Sequence, residues 1–191
     1  MPSLKRELDI YPADLLDMPT DSAPWEVAHL RFKDQEKSIA RMLADKRMPF
    51  YLPQTEERRV SKDRGRDRVR SSHLALFPRY LFMRRVDGLR DVLFRDGRGR
   101  AVAGIIPVFD QDQLTAELRQ IRDLQLAGAT LTPVQDPINE GDVVQIKAGV
   151  FQGCSGVVVE ERGAARLIVS ISVVRRFVAV EFPSEMLKKV S

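Results

Sequence analysis

The apolar positions in the first two thirds of the chain alternate between strand-like and helix-like spacing. "WEVAHLRF" (25–32) predicts a strand with one buried face, and Ile39, Met42 and Leu43 then follow at the spacing of an amphipathic helix. "LRDVLFRD" predicts a second, short helix. Further strands are predicted at "FYLP" (50–53), "LALFPRYLFMRRV" (74–86) and "AVAGIIPVF" (101–109).

The most regular apolar pattern lies in residues 110–128, "DQDQLTAELRQIRDLQLAG". It opens with an acidic cap, repeats leucine or isoleucine at positions 114, 118, 121 and 124, and ends at Gly128. These are the start, face and stop signals of a helix. Together with the preceding elements, this order predicts an α+β domain in which helices flank a mostly antiparallel sheet.

The last third of the chain has strand-like patterns throughout. After a proline-containing linker (129–138), short runs such as "VVQIK", "GVVVEE", "RLIVSISVV" and "FVAVEF" follow one another, with "LKKV" at the end. Five short strands predict a small barrel, since closure removes exposed sheet edges. We therefore expect two domains, over 24–128 and 139–191, preceded by a flexible leader over 1–23.

Three glycines, Gly149, Gly153 and Gly156, interrupt the first two of these late strands. The first two bracket a tight connection, where a positive φ is free only for glycine. At Gly156 the missing side chain would let another backbone approach or allow a barrel corner. A plain hairpin with no further role explains the spacing equally well.

Composition places the chain among ordinary globular proteins. The hydrophobic share is 43% and the charged share 30% of 191 residues. No apolar run approaches the roughly 18 residues of a membrane span, and no secretory signal is evident, so a cytoplasmic location is expected. Cys154 is the single cysteine, which excludes an internal disulfide.

The positive charge of the chain is local. Net charge is +4, while residues 58–70, "RRVSKDRGRDRVR", hold seven basic side chains against two acidic ones. Gly65 at the centre of this segment predicts a two-stranded ribbon or a mobile loop. The basic side chains could contact phosphates, and the lack of aromatics argues against base stacking. A merely solvated segment stays open. The candidate nucleic-acid-binding residues are Arg58, Arg59, Lys62, Arg64, Arg66, Arg68 and Arg70.

The sequence holds no constellation typical of an enzyme. There is no nucleophile with a base at useful spacing, no glycine-rich loop opening a helix and no metal-ligand cluster. His29 and His73 lack ligand-spaced neighbours, so both are expected to be structural or solvated. We expect a non-enzyme without cofactor or metal.

Several motifs together resemble those of the NusG family. Gly141, Asp142, Val144, Ile146 and the positions up to Val158 resemble the KOW motif of ribosomal and elongation proteins. Upstream, "WEVAHLRFKDQEKSIARML" is similar to the opening of the NusG N-terminal (NGN) domain, and "LFPRYLFM" (76–83) to its central strand. "RLIVSISVVRRFVAVEF" (166–182) resembles the last strands of the family's C-terminal barrel. The resemblance covers residues 24–191.

This resemblance implies a transcription elongation factor that binds RNA polymerase and modulates pausing, termination or antitermination. The N-terminal domain would contact the clamp helices of the polymerase and reach toward its gate loop, and the basic segment would lie beside upstream DNA. In an alternating strand, Tyr80 and Phe82 share a face and Phe77 lies on the other, while Trp25 is expected in the core. The residues implied in polymerase binding are Phe77, Pro78, Tyr80, Phe82, Tyr51, Arg90 and Asp91.

The barrel of such proteins recruits a partner, either the termination factor Rho or the NusE ribosomal protein. By position the contact residues are Phe151, Val173, Val174, Arg175 and Arg176. The aromatic residue and the glycine that the family carries between the last two strands are absent here, which weakens the expectation of both partners. The departure favours a specialised paralogue of the RfaH type over the housekeeping factor.

Two further expectations concern the state of the barrel and a rival function. Valine and isoleucine are dense in the C-terminal strands, so we expect a barrel and no all-helical state. We also expect a monomer that does not bind membranes. The alternative function is a ribosome- or RNA-associated KOW protein, which should carry a basic barrel. Residues 139–191 hold seven basic against six acidic side chains, and this near-neutral balance favours protein partners.

Overall fold

The structure, a computed structural model, describes residues 8–63, 66–95, 101–134, 142–146, 155–161, 164–181 and 187–189. The chain divides into two compact units, residues 1–107 and 108–191. This boundary falls before the helix that begins near residue 110, whereas the sequence placed that helix in the first domain. The domain limits drawn from the sequence stay a prediction.

The first unit is built on a five-stranded antiparallel sheet in the order β1-β3-β6-β2-β7, with a separate two-stranded ribbon, β4–β5. Its strands are β1 (Ile10–Tyr11), β2 (Trp25–Leu30), β3 (Phe50–Tyr51), β4 (Gln54–Asp63), β5 (Arg66–Ala75), β6 (Tyr80–Arg84) and β7 (Val102–Pro107). Its helices are α1 (Glu36–Asp45) and α2 (Leu89–Arg95). The predicted mixture of helices with an antiparallel sheet is confirmed.

Helices α1 and α2 pack on one face of this sheet. Ile39, Met42 and Leu43 of α1 are buried there, as the apolar spacing predicts, together with Leu89 and Leu93 of α2. The sheet residues of the same cluster include Ala28, Leu30, Phe50, Leu81 and Met83. Because side chains alternate along a strand, the residues between these lie on the opposite face.

The leader is ordered over much of its length, which corrects the expectation of a flexible segment over 1–23. Ile10–Tyr11 forms β1 and pairs with β3, and a 3-10 turn follows at Leu15–Asp17. Leu15 is completely buried and Leu16 is 7% exposed. The physical reason is that these apolar side chains find a place against the sheet, which a short polar-looking segment does not reveal.

The stretch predicted as one strand over 74–86 is divided between two elements. Strand β5 ends at Ala75 and β6 begins at Tyr80, with a turn between them. Pro78 lies in this turn, and Arg79 adopts a left-handed conformation with φ 72°. Neither residue can continue a regular strand, so the chain changes direction here.

The second unit begins with α3 (Gln111–Leu126), and its predicted caps are confirmed. The Asp110 side chain accepts the backbone N–H of Gln113 at 2.8 Å, which satisfies one free donor of the first turn. Gly128 follows the helix with φ 78°. The predicted apolar positions, Leu114, Leu118, Ile121 and Leu124, are all buried.

The C-terminal sheet of this unit has six antiparallel strands in the order β13-β9-β10-β11-β12-β8. Its strands are β8 (Leu131–Val134), β9 (Asp142–Ile146), β10 (Ser155–Glu161), β11 (Ala164–Ile171), β12 (Arg176–Glu181) and β13 (Leu187–Lys189). The five predicted strands are present, and part of the predicted linker adds a sixth by pairing β8 with β12. Within the described residues β8 and β13 are edges, so a closed five-stranded barrel is not confirmed.

Gly156 on β10 has the close neighbour that the sequence suggested. A Cβ built at this position would lie 2.3 Å from the backbone oxygen of Ile168 and 3.0 Å from Leu167 Cδ1. Any larger residue would therefore push β10 away from β11. Gly149 and Gly153 lie outside the described residues.

Candidate functional site

The leader covers part of the sheet face that lies opposite the helices. Trp25 and Arg84 are cross-strand partners on this face, and the Arg84 guanidinium carbon lies 4.0 Å from the centre of the Trp25 ring. Arg84 donates hydrogen bonds to three leader carbonyls, those of Ala23 (3.0 Å), Leu15 (3.2 Å) and Met18 (2.9 Å). The side chain is fully buried. Arg84 thus holds the leader against the sheet.

The same face stays partly open at its other end, around His29 and Tyr80. These two residues are directly opposite on β2 and β6, and their rings stack with centroids 5.3 Å apart and an angle of 23°. Gly104 is the partner of His29 on β7, and no atom lies within 4 Å of the position its Cβ would take. Pro78 and Ile106 are partly exposed nearby in the sequence of these elements. We call His29, Pro78, Tyr80, Gly104 and Ile106 the open patch.

The turn before Tyr80 is fixed by a buried glutamate. The Glu36 carboxylate, in the first turn of α1 and 2% exposed, accepts the backbone N–H of Arg79 at 2.5 Å. The Arg79 Nε donates to the Leu30 carbonyl at 3.0 Å, and the Leu30 N–H donates to the Arg79 carbonyl at 2.8 Å. These bonds hold Arg79 in its left-handed conformation and set the direction in which β6 leaves the turn.

Three of the aromatic residues expected at a polymerase surface are buried, which corrects the expectation that their rings are exposed. Tyr51 and Phe82 are 0% exposed and Phe77 is 2% exposed, with the Phe77 and Phe82 rings in edge contact at 5.9 Å. The physical reason is that the leader and the turn after β5 cover them. Trp25 is 1% exposed, and its predicted core position is confirmed. The binding roles themselves stay predictions.

Arg90 and Asp91, expected near the gate loop, lie at the start of α2 in ion pairs. Arg90 Nη2 lies 3.0 Å from the Glu26 carboxylate, which is also 3.7 Å from Arg85 Nη1. Asp91 pairs with Arg95 one turn later at 3.2 Å, and both of these side chains are mostly exposed. Glu26 is buried, so the pair with Arg90 fastens the start of α2 to β2.

The basic segment forms the ribbon that the sequence offered as one of two possibilities. Strands β4 and β5 pair from Gln54↔Ala75 to Asp63↔Arg66. This sheet contains no other strand among the described residues. Arg64 and Gly65 lie outside the described residues. The six other candidate positions, at Arg58, Arg59, Lys62, Arg66, Arg68 and Arg70, all lie on the ribbon strands.

The candidate partner surface of the second unit is divided by burial. Val174 is 7% exposed and therefore corrects the expectation of a contact residue, whereas Val173 is partly buried and Arg175 and Arg176 are exposed. Arg175 has φ 49°, which turns the chain into β12. Phe151 lies outside the described residues.

A hydrogen-bond cluster fastens this loop to α3. The Ser172 hydroxyl donates to one oxygen of the Glu117 carboxylate at 2.5 Å, and the Ser172 N–H donates to the other oxygen at 3.0 Å. Gln113 Nε2 donates to Ser172 Oγ at 3.0 Å and to Glu117 at 3.1 Å. The position of the loop therefore depends on the helix that precedes the sheet.

Sequence reasoning missed Glu36, Glu117 and the contact between His29 and Tyr80. The two glutamates occupy ordinary helical positions, and their partners lie 43 and 55 residues away along the chain. No local pattern marks such pairs. The His29–Tyr80 contact could have been found only from the strand register, which follows once β2 and β6 are known to pair.

Metal ligation and membrane insertion find no support in the part of the chain that the structure describes. No group of three or more histidine, cysteine, aspartate or glutamate side chains is placed to hold a metal ion there. Among the same residues, no helix is both long and apolar enough to span a bilayer.

Comparisons with known proteins found similarity to two solved structures. One is Thermotoga maritima NusG, with 19% identity, 91% of this chain and 100% of that chain covered, and a TM-score of 0.48. The other is a chain of the MjSpt4:Spt5 complex in conformation B, with 20% identity, 87% and 97% coverage, and a TM-score of 0.27. No protein-family model and no curated protein matches the chain. Membership of the NusG family stays a prediction from the motifs in residues 24–191.

Proposed function

We propose that this protein is a transcription elongation factor that binds RNA polymerase through the open patch of its first unit. The observation that carries the proposal is the stacked pair of His29 and Tyr80 on a sheet face that the leader leaves partly uncovered. Tyr80 and Pro78 come from the stretch "LFPRYLFM", whose resemblance to the NusG central strand directed attention to this face.

The physical basis of binding would be a few aromatic anchors on a rigid support. Binding energy at protein interfaces concentrates in residues such as tyrosine that lie in a well-packed surrounding. Tyr80 meets this condition, because His29 supports its ring and the bonds between Glu36 and Arg79 fix the turn before it. The buried rings of Phe77 and Phe82 would maintain the strand beneath and make no contact of their own.

A partner helix is the shape that suits this patch. Gly104 leaves open space beside His29, so a helix could approach the sheet closely at that point. The clamp helices of polymerase, which the family resemblance implies, fit this description. Bridging the polymerase cleft would hold the clamp closed and disfavour pausing. Arg90 and Asp91 stay candidates for the second contact, and Arg90 would then have to leave Glu26 or share it.

Two further contacts belong to the proposal. The basic ribbon would lie against nucleic acid at the polymerase, and the second unit would bind a protein partner through Val173, Arg175 and Arg176. Rho and the NusE ribosomal protein are the partners that the resemblance implies. The antitermination role and the RfaH-type relationship rest on the same resemblance.

Retention of the full chain on immobilised core RNA polymerase tests the proposal. We expect wild type to bind and Tyr80→Ala to lose at least about tenfold in affinity, as for a central interface tyrosine. Phe94→Ala is the matched control, because Phe94 is a 50% exposed aromatic on α2, which packs on the opposite sheet face. Fluorescence of Trp25 verifies folding of each variant. If folded Tyr80→Ala binds like wild type, the interface lies elsewhere, and if wild type itself does not bind, the ribosome-associated alternative gains support.

A further inference from the structure

The register of the basic ribbon divides its residues between two faces of different chemistry. Residues directly opposite each other in an antiparallel pair share a face, and successive pairs alternate between the two faces. One face, here called the arginine face, takes the pairs Arg59↔Arg70, Ser61↔Arg68 and Asp63↔Arg66. The other, called the valine face, takes Arg58↔Ser71, Val60↔Val69 and Lys62↔Asp67.

Positive charge is concentrated on the arginine face. Its three pairs contain four arginines and one aspartate, whereas the three pairs of the valine face contain two basic residues and one aspartate. Every basic residue on the arginine face is an arginine, whose planar guanidinium binds phosphate through two parallel hydrogen bonds. The asymmetry arises from the register alone and cannot be read from the overall count of seven basic residues.

The pair of Arg59 and Arg70 is unfavourable for folding. Like charges directly opposite on two strands destabilise the pairing, and here no third strand compensates among the described residues. A polyanion on this face would relieve the repulsion. The arrangement is therefore easier to explain by binding than by stability.

We propose that the arginine face binds the phosphate backbone of double-stranded nucleic acid without reading its sequence. The proposal rests on the nucleic-acid contact in the proposed function and names its face and substrate class. A two-stranded ribbon has the dimensions to follow the major groove of a duplex. Residues 54–75 contain no phenylalanine, tyrosine or tryptophan, so the stacking platform that single-strand binders use is missing.

Two double variants that remove the same charge from opposite faces test this proposal. Arg59→Ser/Arg70→Ser changes the arginine face, and Arg58→Ser/Lys62→Ser changes the valine face, each lowering the net charge of the full chain by the same amount. Binding to a fluorescent duplex of about 30 base pairs is measured by anisotropy between 50 and 200 mM salt, a range in which phosphate contacts dominate the salt dependence.

We expect the arginine-face variant to bind the duplex at least about tenfold more weakly at 50 mM salt. Its slope of log affinity against log salt should fall by about 1.8, since two phosphate contacts are lost. Over the measured range this makes its affinity decline about tenfold less than that of wild type. The valine-face variant should stay within about twofold of wild type, because its residues make no phosphate contact.

Each other outcome overturns a definite part of the proposal. Equal loss in both variants would show that the charge acts diffusely and would refute the assignment to one face. Tighter binding to a single strand of the same length would refute the duplex. Equally tight binding of labelled poly-glutamate would show a surface for acidic proteins. If wild type binds no duplex yet is retained on RNA polymerase, the nucleic-acid contact fails while the polymerase interface stands.

Discussion

Replacement of Arg84 by methionine should destabilise the first unit more than any surface change. Methionine keeps the length and apolar stem of the side chain but removes its charge and all of its donors. The carbonyls of Leu15, Met18 and Ala23 then lose the hydrogen bonds that they accept at 2.9–3.2 Å. The 4.0 Å contact with the Trp25 ring is lost as well.

The magnitude follows from these contacts. A hydrogen bond to a charged group contributes about 1.5–3 kcal/mol, and a desolvated cation–π contact contributes about 2 kcal/mol. These terms do not add fully, and removing a buried charge returns part of its desolvation cost. We therefore expect the free energy of unfolding to fall by about 3 kcal/mol, with the leader the first segment to detach.

Trp25 provides the assay, because it is the single tryptophan of the chain and lies directly beneath Arg84. Urea unfolding of the full chain, followed by tryptophan fluorescence, reports on the first unit. Arg85→Met is the matched control, since the Arg85 side chain is 58% exposed and lies 3.7 Å from Glu26. It should change stability by less than about 0.5–1 kcal/mol. A loss below about 1 kcal/mol in Arg84→Met, at an unchanged urea slope, would refute the proposed role of Arg84.

Two further predictions concern single contacts. Glu36→Ala leaves the buried N–H of Arg79 without its acceptor and should cost about 1–3 kcal/mol, measured by urea unfolding, whereas Glu36→Gln should lose less because its amide oxygen can still accept; equal loss in both would contradict this account. Gly156→Ala places a Cβ 2.3 Å from the Ile168 carbonyl and should destabilise the second unit by about 1–3 kcal/mol or more, seen as a lower thermal midpoint by circular dichroism. An unchanged midpoint in Gly156→Ala would show that β10 can move away from β11 at little cost.

Elements whose stability is decided locally were predictable from the sequence. Helix α3 carries its start signal at Asp110, its apolar face and its stop at Gly128 within one segment, so the pattern alone defines it. The five C-terminal strands are dense in valine and isoleucine, and all five are present where the pattern placed them.

Features that depend on distant partners could not be predicted. Strand β8 contains Pro133 and has no apolar period, and it becomes a strand because β12 offers it an edge to pair with. The leader looks polar and punctuated by prolines, yet Leu15 is fully buried against the sheet. Because the leader covers Tyr51 and Phe82, the sequence alone assigned two buried rings to a surface.

The candidate site was predictable in part. The stretch "LFPRYLFM" directed attention to Pro78 and Tyr80, which do lie on the open patch. The selection among its aromatics was decided by the turn at Arg79, which breaks the alternation that a single strand would have given. The ribbon was one of two sequence-based alternatives, while its division into faces required the register.

Site-specific photocrosslinking from position 80 tests the central claim most directly. The full chain carries benzoylphenylalanine in place of Tyr80, or in place of Phe94 as control, and is irradiated with core RNA polymerase. The account predicts a crosslink from position 80 to the clamp helices of the polymerase and none from position 94. Binding of the position-80 protein without a crosslink, or equal crosslinking from both positions, would contradict an interface at the open patch.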